Sequence, residues 1–183
     1  MGTLFVDKLD PQSGTSLEIG SSGDTITIPS GATITNSGTA TGFGEANTPN
    51  FHAKTSSQSI SASTSTVVVY SAEDFDTSSL YNTSNGRFTV DANTTGKYFF
   101  YAAVKYASSS ISRNDLTINK NGTAVLRTEF GNSTSYPTVL VSGMVNLSSS
   151  GDYVEVKVNQ NDGTKSLSGE SEGNFFGGFR VTS

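Results

Sequence analysis

The sequence contains one histidine, His52, and no cysteine. A Ser–His–Asp arrangement needs an acidic side chain to orient the histidine, and no acidic residue is adjacent to His52 in the chain. The histidine follows a turn-forming stretch at residues 47–50, which favours a surface or packing role. The lack of cysteine excludes a thiol nucleophile, thiolate-bound zinc and an iron–sulfur cluster.

A small acidic cluster, formed by Glu73, Asp74 and Asp76, is the next candidate for chemistry. Paired carboxylates can hydrolyse glycosidic bonds. Carboxylates in a loop can also bind calcium, although the spacing here is not that of an EF-hand. A solvated turn beside a strand end is the interpretation that we favour over both.

Two further motifs near the C-terminus carry little chemistry. Glu170 and Glu172 flank Ser171 and are interpreted, like the first cluster, as solvated acids. The pair Gly177-Gly178 is not followed by the Gly-Lys-Ser/Thr of a phosphate-binding loop. The sequence therefore predicts no catalytic residue, no metal ligand and no cofactor, and a protein that is not an enzyme.

The overall composition excludes several classes of partner. The net charge is −5 with a pI near 4.7 and no basic cluster, so nucleic acid is not an expected partner. The apolar runs are far shorter than the roughly 20 residues of a membrane span, and residues 1–9 lack the pattern of a signal peptide. Helix formers are scarce, whereas Ser, Thr, Gly and β-branched residues dominate, which is typical of an all-β protein.

Strand-like runs recur along the second part of the chain, separated by turn sequences. Asn121-Gly122, between two alternating runs, is a strong hairpin signal. Short strands at this spacing predict a sandwich or jelly roll. The predicted strands are Val67–Tyr70, Arg87–Val90, Lys97–Tyr106, Asp115–Lys120, Ala124–Glu129, Thr138–Leu147, Tyr153–Asn159 and Asn174–Val181.

Two of these runs predict how their strands are buried. The run Tyr153–Val158 places its valines on one face, with Glu155 and Lys157 on the other, which predicts one buried and one wet face. The run Tyr98–Tyr106 is apolar on both faces, which predicts a partner on its outer side. Another subunit is favoured over a cover of loops.

The first part of the chain has a different texture. Residues 23–44 form glycine-phased repeats in which Ile26, Ile28 and Ile34 alternate with threonines, as in small stacked β rungs. Such rungs bury no core alone but could do so with three chains; a polar linker is the alternative. We predict an anchor and β-repeat stalk over 1–44, a linker over 45–50 and a head over 51–183. The expected particle-docking residues are the apolar ones of the N-terminal tip, Leu4, Phe5, Val6 and Leu9.

Aromatic, acidic and glycine residues recur in the head at Tyr70, Asp76, Tyr81, Phe88 and Gly96, followed by an aromatic run over 97–102. With this spacing the head resembles the globular domain of the complement 1q family, a relative of the tumour necrosis factor fold. Tyr70 replaces the usual Phe, Ala102 replaces the last aromatic, and two extra residues precede Gly96. The C-terminal Phe175-Phe-Gly-Gly-Phe179 and the turn at 119–122 add to the likeness. The matching residues are Tyr70, Asp76, Tyr81, Phe88, Gly96 and Lys97-Tyr-Phe-Phe-Tyr-Ala102.

This resemblance implies a ten-stranded antiparallel jelly roll that forms a homotrimer. The residues expected to pack the core and the subunit interface are Tyr98, Phe100, Tyr101, Phe175, Phe176 and Phe179.

The N-terminal segment, from Leu4 to Gly44, resembles the openings of virion structural proteins of tailed bacteriophages, marine ones especially. This resemblance implies a virion location and a trimeric fibre, knob or capsid decoration protein, made in the host cytoplasm without a signal peptide. Its expected partners are a capsid or tail protein and a host cell-surface glycan or protein. The alternatives are a free secreted binding module, lectin- or cytokine-like, and a glycan-degrading enzyme on a trimeric fibre.

Overall fold

A computed structural model of the chain describes Leu9, Pro11 and residues 13–38, 47–107, 111–133 and 136–182. The chain divides into two compact units, Met1–Phe43 and Gly44–Ser183. Within the described part of the first unit, residues 13–38 form turns and bends but no strand. Ile26, Ile28 and Ile34 are 47–60% exposed there. The rungs expected from the repeat are thus not formed by the described residues of a single chain, because one or two aliphatic side chains per repeat have no second layer to cover them.

The second unit is built almost entirely of strands. Its one short helical segment among the described residues is a 3₁₀ turn over Ser171–Gly173. The strands are β1 (Asn50–Lys54), β2 (Ser59–Ile60), β3 (Thr66–Val67), β4 (Ala72–Asp76), β5 (Tyr81–Asn82), β6 (Arg87–Thr89), β7 (Gly96–Lys105), β8 (Ile111–Lys120), β9 (Thr123–Ser133), β10 (Thr138–Leu147), β11 (Tyr153–Gln160), β12 (Lys165–Ser166) and β13 (Phe175–Thr182).

These strands form two antiparallel sheets that pack face to face. The first sheet has the order β10-β7-β13-β1-β4. The second has the order β5-β6-β11-β8-β9, with β3 also paired to β11. The first sheet therefore has five strands and the second has six, and β2 and β12 pair separately with one another. The described residues thus form thirteen strands, where ten were expected.

Local sequence signals located several elements correctly. Strand β10 has the predicted bounds. Asn121 and Gly122 join β8 to β9 with φ values of 48° and 82°, as a two-residue hairpin turn requires. Strand β4 was missed, because Glu73, Asp74 and Asp76 were interpreted as a solvated turn. The acids lie instead on an edge strand that pairs only with β1, so most of its side chains can remain in water.

The core between the sheets is aromatic. Phe51, from β1, stacks on Phe88 with ring centroids 4.7 Å apart and on Tyr81 at 5.1 Å. Phe100 packs against Phe88 at 5.6 Å, and Phe51 meets Phe176 edge-on at 4.9 Å. Offset and edge-on pairs of this kind add stability beyond the burial of their surface.

Strand β11 has one face as predicted and one that differs. Val154, Val156 and Val158 are fully buried, which confirms the apolar face. The prediction of a wet opposite face is wrong at Glu155, which is only 1% exposed. Its carboxylate pairs with Arg87 Nε at 2.9 Å and with Lys157 Nζ at 3.0 Å, because β11 lies inside the sheet and neighbouring side chains cover it.

Candidate functional site

The outer side of the first sheet carries a continuous set of apolar side chains, which we call the aromatic face. The strand register sets them in rows. Phe75 lies opposite His52, and Phe179 lies opposite Phe99, which in turn is opposite Met144. Residues of the aromatic face are His52, Phe75, Phe99, Tyr101, Leu140, Met144, Phe175 and Phe179.

The aromatic face is apolar yet open to solvent. Phe75, Leu140 and Met144 are each about half exposed, and Phe99 and Tyr101 are partly buried. A contiguous exposed apolar patch on a polar protein marks an interaction surface. The strand predicted to have two apolar faces, β7, crosses this surface.

Two adjacent glycines of β13 shape both sides of the first sheet. A Cβ atom on Gly177 would lie 2.5 Å from the ring of Tyr101, and one on Gly178 would lie 2.5 Å from Cδ1 of Phe100. Gly177 therefore makes room for a ring on the aromatic face, and Gly178 makes room for a ring in the core. The glycine pair acts through close packing across a strand, not through phosphate binding.

His52 lies at the centre of a mixed aromatic and charged group. Its ring stacks with Phe75 and Phe175, with centroids 6.1 and 5.8 Å apart. Its Nδ1 is 2.9 Å from Asp74 Oδ2, and Lys54 Nζ is 2.8 Å from Asp74 Oδ1. The expectation that His52 has no acid nearby is wrong, because the pairing of β1 with β4 brings Asp74 across 22 residues of chain.

The charges around Asp74 favour its ionised form. The hydrogen bond from Lys54 lowers the pKa of the Asp74 carboxyl below its ordinary value, and the contact with His52 acts in the same direction. Asp74 thereby orients two cationic or polar partners at the margin of the aromatic face. Glu170, the other acid considered, pairs with Lys105.

The aromatic residues singled out from the sequence divide between the two sides of the first sheet. Tyr98, Phe100 and Phe176 are fully buried in the core. Tyr101, Phe175 and Phe179 lie on the aromatic face and are partly exposed.

Of the expected docking residues, Leu9 is exposed, whereas Leu4, Phe5 and Val6 lie outside the described residues.

A shallow depression of about 330 Å³ lies on the aromatic face. Phe75, Tyr101 and Phe179 line it together with Asn47 and Asn50. Burial raises the pKa of the Tyr101 hydroxyl, so the phenol stays neutral at ordinary pH. The depression therefore offers aromatic surface with a few neutral polar groups at its edge.

Two tyrosines and an aspartate from the pattern that resembles the complement 1q family stabilise the core. The Tyr81 hydroxyl donates to the carbonyl of Tyr70 at 3.1 Å, and the Tyr70 hydroxyl donates to the carbonyl of Ala103 at 3.2 Å. The Tyr81 N–H donates to Asp76 Oδ2 at 2.7 Å. Burial raises the pKa of both tyrosines, so their hydroxyls stay neutral. Their hydrogen bonds to backbone carbonyls stabilise the sandwich.

The described residues contain no group of three or more His, Cys, Asp or Glu side chains placed to hold a metal ion. Asp76 accepts hydrogen bonds from the backbone N–H groups of Ser78 and Tyr81. Among the same residues no helix has the length and apolar character needed to cross a membrane.

Comparison with known proteins agrees with this architecture. Residues 50–181, more than two thirds of the chain, match the C1q domain. No curated protein matches the sequence significantly.

Solved structures share the fold at low sequence identity. The globular domain of zebrafish complement 1qA is 20% identical, with a TM-score of 0.52 over 73% of this chain and 96% of that one. Murine APRIL is 18% identical, with a TM-score of 0.53 over 72% and 98% of the two chains. Eiger TNF from S. frugiperda is 14% identical, with a TM-score of 0.53 over 73% and 91%. The chain is a member of the C1q domain family, and its second unit is an all-β jelly roll of the C1q and tumour necrosis factor type.

Proposed function

We propose that the protein is a non-enzymatic binding module that works as a homotrimer, with the aromatic faces of three copies packed around a common axis. The observation that carries this proposal is the aromatic face itself, where Phe75, Leu140 and Met144 remain half exposed in the single chain. C1q domain membership supports the same arrangement.

The chemistry of the aromatic face suits packing against identical copies. Burying apolar surface stabilises association by about 25 cal/mol per Å², and a ring of three copies closes when each face contacts its neighbour through a threefold rotation. The charged groups, Lys54 and Asp74, pair with one another within one chain, so burial near the interface leaves no lone charge.

We further propose that the trimer is a virion appendage of a tailed phage, attached through residues 1–44. The likeness of this segment to phage virion proteins supports the attachment, and the exposed Ile26, Ile28 and Ile34 give three such segments apolar surface to share. The head would then face outward, to stabilise the shell or to bind a host-surface glycan or protein. Three weak contacts on one rigid trimer gain strength through their linkage.

The trimer is tested by placing a charge on the aromatic face. Phe179→Asp buries an unpaired carboxylate in the proposed interface, so the variant should sediment as a monomer of about 19 kDa where the parent sediments at three times that mass. Val125→Asp, on the exposed part of β9 in the second sheet, is the control and should stay trimeric. A parent protein that is monomeric at micromolar concentration contradicts the proposal.

The virion role is tested separately by deleting residues 1–44 in a phage that carries the protein. The truncated head should remain soluble and trimeric in the lysate and be missing from purified particles. A head found in the medium and never on particles would favour the free binding module instead. Hydrolysis of host polysaccharide that is lost in Asp74→Asn would contradict a non-enzymatic role.

A further inference from the structure

The outer side of the second sheet holds a polar depression, which we call the polar groove. Asp115, Thr117 and Asn119 alternate along β8 and line it, and Asn159 faces Asp115 from β11. The groove has a volume of about 290 Å³. Alternate residues of a strand are about 6.6 Å apart, so the three side chains of β8 offer polar groups along about 13 Å of surface.

Three oxygens in the polar groove are buried acceptors without a hydrogen-bond partner: Asp115 Oδ1, Asn119 Oδ1 and Asn159 Oδ1. Asp115 and Asn119 are only 9% and 6% exposed. Their other polar atoms are occupied, since Asp115 Oδ2 accepts from Arg113 at 3.2 Å and Asn119 Nδ2 donates to the Gly122 carbonyl at 3.1 Å.

Unpaired buried acceptors are rare in folded proteins. A fourth buried polar atom without a hydrogen-bond partner, Asn114 Nδ2, lies on the opposite, core-facing side of β8 and is separate from the groove. Because three unpaired acceptors lie in one groove, we infer that a bound molecule donates hydrogen bonds to them.

The groove also offers a donor that has no protein partner. Arg127, on β9, lines the groove opposite Thr117, and within the described residues its guanidinium makes no ion pair or side-chain hydrogen bond. Its long exposed side chain is free to turn onto a bound molecule. Ala124, opposite Asn119 on the same strand, is small and leaves that end of the groove open.

We propose that the polar groove binds a saccharide. The three unpaired oxygens can accept hydrogen bonds from O–H or N–H donors, and the exposed Arg127 can donate to an acceptor. A sugar hydroxyl both donates and accepts. A bare metal ion fits less well, because Asp115 is the one carboxylate among the lining residues and the cationic Arg127 lines the same groove. The length of the groove accommodates a short oligosaccharide.

This inference rests on the proposed function as a binding module, for which it names a site and a ligand class, but it does not depend on the trimer or on attachment to a particle. The polar groove lies on the second sheet, and the aromatic face lies on the first, so each site can be lost without the other. Binding by a monomeric variant such as Phe179→Asp would separate the two proposals directly.

The test uses the full chain, fluorescently labelled, on an array of immobilised glycans that display hexoses, N-acetylhexosamines and uronic acids. Binding to at least one class, with competition by the matching free methyl glycoside, is the expected result. Ala124→Tyr should fill the groove and reduce the signal at least tenfold. Val125→Tyr, on the same strand but outside the groove lining, is the matched control and should bind like the parent.

A second pair of variants tests the orphan acceptors. Asn159→Ala removes one acceptor and should weaken binding by about tenfold, the effect of one lost hydrogen bond. Asn93→Ala, in an exposed turn that does not line the polar groove, should leave binding unchanged. The proposal is overturned if no glycan binds, or if Ala124→Tyr and Asn159→Ala bind as well as their controls.

Discussion

The two outer faces of this sandwich differ sharply although they cover the same core. The aromatic face places rings such as Phe75 and Phe179 towards solvent, with Lys54 and Asp74 paired at its margin. The outer side of the second sheet instead holds buried polar groups, among them Glu155, Asp115 and Asn119. The first face exposes apolar surface to solvent, and the second contains buried polar atoms that have no hydrogen-bond partner.

If both proposals hold, the fold assigns assembly to one sheet and ligand binding to the other. Apolar surface favours contact with a like surface, for which no directional match is required. Buried polar atoms bind only molecules that complete their hydrogen bonds, because an unmatched group costs free energy. The first kind of face suits identical copies, and the second suits a chosen ligand.

The largest expected effect comes from the core beneath the aromatic face. Phe100→Ala should lower the free energy of unfolding by about 3–5 kcal/mol, because the ring is fully buried against Phe88 and Phe176. Denaturant unfolding of the parent and the variant measures it. Phe99→Ala, one residue away on the aromatic face, should mainly weaken association, so the variant should dissociate to monomers at a higher protein concentration than the parent.

Equal losses in Phe99→Ala and Phe100→Ala, both independent of concentration, would remove the distinction between the core and the aromatic face.

On the second sheet, Glu155→Gln should cost about 2 kcal/mol. The change removes the charge that holds Arg87 and Lys157, and it leaves a buried amide in place of a paired carboxylate. Glu129→Gln is the control, since Glu129 is exposed and its pair with Arg113 should contribute less than about 1 kcal/mol. Thermal unfolding at pH 7 compares the two, and equal costs would show that burial of Glu155 adds nothing.

The smallest expected effect is a decrease in the free energy of unfolding at acidic pH. Hydrogen bonds from Lys120 and Asn121 lower the pKa of the Asp152 carboxyl from 3.8 to about 2. A lowered folded-state pKa stabilises the fold above pH 4, and this contribution disappears as the pH falls from about 4 to 2. The loss should be about 1–2 kcal/mol, because the Lys120 side chain that pairs with Asp152 is 25% exposed and solvent weakens the pair.

Unfolding curves at pH 5 and pH 2.5 measure this contribution. Asp152→Asn should already lack it at pH 5, so the gap between parent and variant should shrink in acid. A gap that stays constant would show that Asp152 does not titrate in this range.

Local patterns in the sequence were enough for much of the fold. The turn at Asn121-Gly122 and the bounds of β10 follow from neighbouring residues alone, since turn geometry and alternation are local properties. The buried valines of β11 follow in the same way. The sequence also predicted that the aromatic residues of β7 and β13 are packing residues, but it did not predict which of them face the core and which face outward.

The candidate sites were less accessible to sequence reasoning. The pairing of His52 with Asp74 joins residues 22 apart, and the burial of Glu155 depends on Arg87, 68 residues away. The polar groove was missed, because the sequence predicted Asp115–Lys120 as a strand and nothing more about its side chains. Alternation of polar residues was the available signal, but it does not say which polar atoms remain without partners.

The sequence by itself determined that the protein is all-β, which strands alternate, and which C-terminal residues resemble the C1q domain. Those properties depend on residue type and spacing, which act over a few positions of chain. Only the tertiary structure decided that Gly177 and Gly178 receive rings on opposite sides, and that one sheet shows rings outward while the other buries unpaired oxygens. These features depend on strand register, because register determines which side chains from distant parts of the chain lie together on one face.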